Sequence, residues 1–416
     1  MSSFSIALSG LTASSDALNI ISNDLANLNT VGFKDQQANF ESMFYQNLGT
    51  SGSGDPIQEG SGTEIGSIAT QFTDGTVQDT GVASNVAITG NGFFITQSPS
   101  GVLTYTRSGD FSVNGAGDLV SSTGADVLGY PAVNGVVNTG AALSPLNVGS
   151  SLTNPPSATT SAQQTTNLDA TAPVGTIYSD QLQVFDSLGA SHILTFNFTE
   201  TAPNTWTYQV TLPAADTGGT GNPTTVATGT MTFDSNGNLT APASPVTINV
   251  PGLADGAATM NVNWNLTDSN GNSLITQVAG TSTTTTQTQN GYIAGTLQSY
   301  SVQSDGTIEG TFTNGQTQAL GQVALASFAD TQGLNDVGGN AYTPTLASGA
   351  AVSGIPNAGG RGSLTGGALE MSNVDISTEF TRLIVIQRGF EANARMITTL
   401  DSVDNTTTNL QAQPGN

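Results

Sequence analysis

The sequence contains no cysteine, which excludes disulfides and thiolate metal sites. Its one histidine, His192, lies in an alternating apolar–polar stretch, so a structural role is expected for it. No second histidine exists for a His-based metal site, and a Ser-His-Asp triad would have to use His192. Charge is scarce as well, at 9% of residues against a usual ~25%. Only six residues are basic, against 30 acidic ones, and the net charge is −24. The six are Lys34, Arg107, Arg361, Arg382, Arg388 and Arg395, with none between positions 107 and 361. A phosphate backbone or an anionic membrane would be repelled, so neither nucleic acid nor membrane is an expected partner.

Other absences narrow the function further. The N-terminus carries no basic region before Lys34, so no cleaved secretory signal is expected. No apolar run approaches the ~20 residues of a membrane span. A G-x-x-x-x-G-K-[ST] phosphate loop is missing. Asp234-Ser235-Asn236-Gly237-Asn238 and Asp268-Ser269-Asn270-Gly271-Asn272 look superficially like calcium loops. Glycine is fourth rather than sixth, however, and the twelfth positions are Pro245 and Ala279 instead of Glu. They read as hairpin turns. No catalytic residue, cofactor site or metal site is expected, and the chain is not read as an enzyme.

What fills the gap is Gly, Ser, Thr and Asn, a mixture suited to strands joined by tight turns. Gly92–Thr96, 192–198 and 205–210 read as strands. Asn-Gly pairs at 114–115, 134–135, 236–237, 270–271, 290–291 and 314–315 are hairpin signals. The low-complexity stretches 50–62, 150–166 and 281–288 read as linkers or domain crossings.

The two ends differ from this middle. Phe4, Leu11, Leu18 and Leu25 occupy one heptad position, and Ala7, Ser14, Ile21 and Leu28 fall three residues later. Gly32 suits a left-handed C-cap beyond that helix. At the other end Asp375 is the expected N-cap, with Glu379 in the first turn. An apolar stripe then runs through Phe380, Leu383, Ile386, Phe390, Ala394, Ile397 and Leu400, with Leu410 beyond. Arg382, Arg388 and Arg395 could pair with the first helix or with acids of neighbouring copies. The expected fold is mainly β: nested β-rich domains, an outer one with an inserted β-barrel-like middle domain, plus N- and C-terminal helices pairing as a coiled coil. The expected divisions are 1–33 and 371–416 for the helices, 34–145 and 286–370 for the outer domain, and 146–285 for the middle domain.

Ser22 to Lys34, containing Asn23, Ala26, Asn27, Asn29, Thr30, Gly32, Phe33 and Lys34, resembles the signature of the bacterial flagellar rod and hook axial family. Position 24, usually a second Asn there, is Asp24. Glu370 to Asp375 and Gln387 to Arg395, with Arg388, Gly389, Asn393 and Arg395, resemble the same family, as do 90–94 and 105–111. Interior segments 185–198, 232–237 and 306–328 resemble its hook members. The resemblance implies a structural subunit that self-assembles through its terminal helices into a curved tubular polymer, a universal joint passing motor torque to the filament. The implied interface is Phe4, Leu11, Leu18, Ile21, Leu25, Leu28, Phe380, Leu383, Ile386, Phe390, Ile397 and Leu400. The implied partners are further copies, the hook cap protein, the distal rod protein, the hook–filament junction protein and the type III export apparatus. The implied location is the extracellular flagellum. The alternatives are a distal rod-type protein lacking the middle domain and a secreted β-rich adhesin.

Overall fold

A computed structural model describes residues 2–52 and 55–411. The described chain is mainly β, with a helix near each end: α1 over Ser2–Ala26 and α2 over Ile376–Gln411. It divides into two compact units. One comprises residues 1–149, 299–310 and 317–416; the other comprises 150–298 with 311–316.

The first unit carries both helices. Its strands are short, and its core is split between the two faces of the strand Phe93–Gln97. Phe94 packs edge-on against Phe111 with ring centroids 4.9 Å apart, alongside Val86, Ile88, Val127 and Leu325. On the other face Phe93, Tyr105, Phe328 and Tyr342 form an edge-to-face aromatic cluster. Strand Phe93–Gln97 pairs with Leu103–Thr106, Asp126–Val133 and Leu325–Ser327, all antiparallel. At the edge nearest the helices Val77–Asp79 pairs with Ala368–Glu370. A separate long hairpin, Gln36–Ser42 with Thr63–Thr70, lies against α1, where the Thr63 N–H donates to Ser9 Oγ at 3.2 Å.

The second unit is built of two sheets. Ile177–Phe185, Ser191–Ala202, Thr205–Leu212 and Thr224–Phe233 form an antiparallel meander. The other sheet holds Val246–Val250, Met260–Asn265, Ser161–Asp169, Ile275–Val278 and Thr283–Gln289. Strict alternation along 191–202 turns His192, Leu194, Phe196, Phe198 and Glu200 inward, as the two-residue period of a half-buried strand requires. Phe196 and Tyr208 meet Trp264 across the core at 4.9 and 5.5 Å. An isolated bridge between Asn238 and Thr276 links the two sheets at one point; they otherwise remain separate.

All three expected linker stretches contain strands, Ser161–Asp169 beginning inside 150–166. Thr283–Gln289 pairs antiparallel with Ser161–Asp169, Gln163 facing Thr288 and Thr165 facing Thr286. Threonine's β-branch favours a pleated surface, and a run of polar threonines suits an outward-facing strand better than a flexible crossing. Within 50–62 the chain forms the hairpin strands Gln46–Thr50 and Pro56–Glu59. Of the Asn-Gly pairs, 134–135 makes the tight hairpin with both residues at positive φ, 51° and 75°. At 290–291 neither residue takes positive φ; Asn290 instead accepts the backbone N–H groups of Thr160 and Ser161. The two aspartate loops are turns. Asp234 Oδ1 accepts from the N–H groups of Asn236 and Asn238, and Asp268 Oδ1 from those of Asn270 and Asn272. These bonds hold both carboxyls below the usual range.

His192 is buried, with Nδ1 3.0 Å from Asp216 Oδ2 and Nε2 3.2 Å from Asp186 Oδ2. Asp255 Oδ2 stands 3.9 Å from Nε2. Both ring nitrogens face carboxylates, so the imidazolium, which donates from both, satisfies the site without a metal. Burial alone would push His192 down, but the bonds to Asp216 and Asp186 outweigh it and raise the pKa above 6.5. A raised folded-state value means that this stability is fully present below the unfolded pKa and is lost as pH rises through the folded one. Thermal unfolding monitored near Trp206 and Trp264 should therefore show a falling midpoint above pH 6.5, and His192→Gln should flatten that slope. An unchanged slope in the variant would assign the pH dependence elsewhere.

Candidate functional site

The candidate site is the helix pair and its junction with the β-structure of the first unit. α1 spans 25 residues, about 38 Å at ~1.5 Å per residue. α2 spans 36 and begins as expected, with Asp375 Oδ1 accepting the Thr378 N–H at 2.7 Å. The helices run antiparallel: Gly10 lies opposite Asn393 and Ser14 opposite Gly389. The final residues of α2, where Leu410 belongs to the expected stripe, have side chains outside the described set.

One row of the expected seam faces inward and the other does not: Ala7, Ser14 and Ile21 are buried, whereas the Phe4, Leu11, Leu18, Leu25 row is replaced inside by Gly10, Ala17 and Asp24. Ala7, Gly10, Ser14, Ala17, Ile21 and Asp24 form the buried row of α1, at the alternating three- and four-residue spacing of a helix seam. Phe4 is 47% exposed, and Leu11, Leu18, Leu25 and Leu28 are half-buried. The physical reason is side-chain size. A Cβ at Gly10 would sit 2.7 Å from Asn393 Nδ2, so the helices approach more closely than leucine would allow. Small residues therefore take the inside, and the larger apolar ones flank it. On α2, Leu383, Ile386, Phe390, Ile397 and Leu400 are half-buried, whereas Phe380, Ile384, Val385 and Met396 are exposed. Ile20, Phe40, Val385 and Ile386 line an apolar groove where both helices meet the long hairpin. Phe44, beyond that hairpin's first strand, is 94% exposed.

By length and composition alone, Phe4–Ala26, with mean hydropathy 1.2, is apolar enough to cross a membrane, contrary to the expectation that no segment is. Its small-residue row packs on α2.

The signature residues organise the exit from α1. The helix ends at Ala26, so Gly32 is not its cap. Asn27 Nδ2 donates back to Asn23 O at 2.9 Å, and Thr30 Oγ1 donates to Asn27 Oδ1 at 3.0 Å. Gly32 follows at φ 69°, and a Cβ there would meet the Ser108 backbone nitrogen at 2.6 Å; only glycine fits. Its N–H donates to Glu370 O at 2.8 Å. Phe33 is half-buried, and Ala26 and Asn29 are exposed.

Lys34 then enters the interior with its side chain fully buried. Nζ donates to Glu370 Oε1 at 2.5 Å and to Thr73 O at 2.7 Å. Arg107 stands 3.5 Å from both Glu370 Oε2 and Asp74 Oδ1, with its guanidinium 5.3 Å from the centre of the Phe93 ring. Burial lowers the Lys34 pKa, and Glu370 opposes that shift. Two buried bases face one buried acid, Glu370, with the exposed Asp74 as a second partner of Arg107. Sequence reasoning missed this cluster, although Lys34, Arg107 and Glu370 all stand inside quoted signature segments and two of them are among the six bases.

Beside it lies a second cluster of Asp24, Asp35 and Glu379. Burial, then the neighbouring Asp35 and Glu379, push Asp24 up to about 8. Arg382 Nη1 donates to Glu379 Oε1 at 2.6 Å and lies 3.4 Å from Asp35 Oδ2. Its partners are thus on the junction and its own helix, not on α1. Arg388 and Arg395 are exposed and form no ion pair among the described residues.

With this geometry in place, comparison with known proteins gives a consistent answer. Residues 4–34 match the family described as "Flagella basal body rod protein", and 365–410 match "Flagellar basal body rod FlgEFG protein C-terminal". Residues 87–162 match "Flagellar hook protein FlgE/F/G D1 domain", and 152–292 match "Flagellar basal body protein FlaE D2 domain". The chain is 36% identical to the flagellar hook protein FlgE of Salmonella typhimurium, over 98% of this chain and 100% of that one. It is 32% identical to that of Treponema pallidum, over 99% and 100%. In fold it is similar to the crystal structure of Helicobacter pylori flagellar hook protein FlgE2, with a TM-score of 0.50 at 15% identity, covering 71% of this chain and all of that one. The chain belongs to the flagellar hook protein family, a family of structural proteins of the bacterial flagellum.

Proposed function

We propose that the chain is the structural subunit of the flagellar hook, polymerising through its terminal helices into a curved tube that transmits torque as a universal joint. The observation that carries the assembly route is the exposed apolar surface of the helix pair. Phe4, Leu8, Phe380, Ile384, Val385 and Met396 stay at least 46% exposed, on a chain in which only 6% of residues are aromatic. Such a surface marks an interaction site, and further copies of the same chain would cover it. The seam residues Ile21, Leu383, Ile386, Phe390, Ile397 and Leu400 hold the pair together, while Phe4, Leu11, Leu18, Leu25, Leu28 and Phe380 face outward toward neighbours.

The division into terminal, outer and middle domains at 33, 145, 285 and 370 belongs to the same reading. So do the partners: the hook cap, distal rod and hook–filament junction proteins, and the type III export apparatus. Delivery to the cell exterior belongs to the same reading, and the net charge of −24 disfavours nucleic acid and anionic membrane as partners. The low charge of the β-rich units suits contacts that slide during bending, because no strong ion pairs have to break. A rod-type assignment fits less well, since relatives named as hook proteins match across the inserted unit. Immunogold labelling of isolated flagella should place the protein on the short curved segment between rod and filament. Label confined to the straight rod would overturn the assignment.

A further inference from the structure

Three carboxylates converge where α1 ends and α2 begins. Asp24 lies in the last turn of α1, Asp35 follows Lys34, and Glu379 lies in the first turn of α2. One oxygen from each lies within 4.8 Å of the others. Asp24 and Glu379 are 0% and 1% exposed. Each of the three carries a buried oxygen without a hydrogen-bond partner: Asp24 Oδ1, Asp35 Oδ1 and Glu379 Oε2. The neighbouring donors are already engaged elsewhere. The Gln36 N–H donates to Asp24 Oδ2 at 3.2 Å, and Arg382 reaches only Glu379 Oε1 and Asp35 Oδ2.

Three acidic groups share one guanidinium, so Asp24 is held as the neutral acid, its pKa pushed up to about 8, unless a second positive charge joins the cluster. In the adjacent cluster the one buried acid, Glu370, faces two buried bases, Lys34 and Arg107, a pairing the three-acid cluster lacks. Burying unpaired charge is costly, and oxygens aimed inward without donors are what a cation requires. All donors are carboxylate oxygens, the ligand type of hard divalent ions rather than of zinc or copper.

We propose that Asp24, Asp35 and Glu379 form a binding site for a hard divalent cation, calcium or magnesium, that ties the end of α1 to the start of α2. Three carboxylates leave further coordination positions to water, so the site belongs with the weaker class, with a Kd of roughly 10⁻⁴–10⁻³ M. The site is independent of the hook assignment and would hold for any assembly built from these helices.

The test uses the full-length chain, stripped with EDTA and titrated separately with CaCl₂ and MgCl₂ by calorimetry, with thermal unfolding followed in parallel. One equivalent of one of these ions should bind per chain and raise the unfolding midpoint; whichever titration gives the tighter binding identifies the ion. Asp24→Asn, nearly isosteric, and Glu379→Gln should each weaken binding by about tenfold or more, while Asp16→Asn on the exposed face of α1 should not. Should Asp24→Asn fail to fold, Asp35→Asn, at a half-buried position, supplies the same readout. Absence of stoichiometric binding for both ions up to about 10 mM, an order above that class, would overturn the proposal. So would equal weakening by Asp16→Asn, or a midpoint that Asp24→Asn raises by the same amount with and without cation. That last result would assign the cluster to a proton.

Discussion

Deleting residues 1–26 and 376–416 should leave a folded, β-rich monomer that forms no tubes at any concentration. The deletion removes the helix pair with the exposed Phe4, Leu8, Phe380, Ile384, Val385 and Met396. Fully burying such a side chain stabilises by about 1.5–3 kcal/mol; these six are already about half covered, so covering the rest contributes roughly 4–9 kcal/mol per copy before losses to ordering. The cores survive, because Phe93, Phe94 and Tyr342 in one unit and Trp206 and Trp264 in the other all lie between the deletions. The boundary spares Gly32 and Lys34, whose bonds to Glu370 close the β-structure. Electron microscopy and sedimentation check the outcome: tubes from the truncated chain would remove the helices from the assembly interface.

Lys34→Met should destabilise the first unit by about 3–5 kcal/mol, the cost of removing one partner from a buried ion pair. Lys34 and Glu370 both have fully buried side chains. Without the ammonium, Glu370 keeps Arg107 at 3.5 Å and the Gly75 N–H at 3.0 Å, and Thr73 O loses a donor. Methionine fills much of the same volume, so a lost cavity does not explain the effect. Lys34→Met with Glu370→Gln should cost less than the sum of the two single changes, because the second removes the charge that the first strands. Urea unfolding of the first unit measures it, and a loss below about 1 kcal/mol, the range of an exposed pair, would show that the pair is solvated. Reduced export or assembly of Lys34→Met would follow from the lost fold rather than from a lost contact.

The terminal helices, the alternating strands at 192–198 and 205–210 and the Asp375 cap were legible because each depends on neighbours within a few residues. Periodicity and capping are local physics. The Thr-rich stretch at 281–288 was misread as a linker for the converse reason. Its partner, Ser161–Asp169, lies more than a hundred residues away, and low complexity hides a strand whose pairing supplies all its backbone hydrogen bonds. The Asn-Gly at 290–291 failed in the same way, since its asparagine is engaged with the distant backbone of Thr160 and Ser161.

Composition and periodicity alone determined that this chain is β-rich, acidic, without disulfides and helical at both ends, and the signature segments pointed to its family. Which residues complete the inward face of each helix was decided only in three dimensions. On α1 the heptad's Ala7/Ser14/Ile21 row turns inward as its spacing suggests, but whether Leu11/Leu18 or Gly10/Ala17 completes the seam depends on how near Asn393 and Gly389 approach. Close approach favours the small residues and leaves the large ones available to neighbours. Tertiary structure likewise decided the pairing of Lys34 with Glu370, 336 positions later, and the meeting of Asp24, Asp35 and Glu379. Charges so far apart in the chain come together only when the fold closes, and burial then turns ordinary side chains into strong constraints on stability.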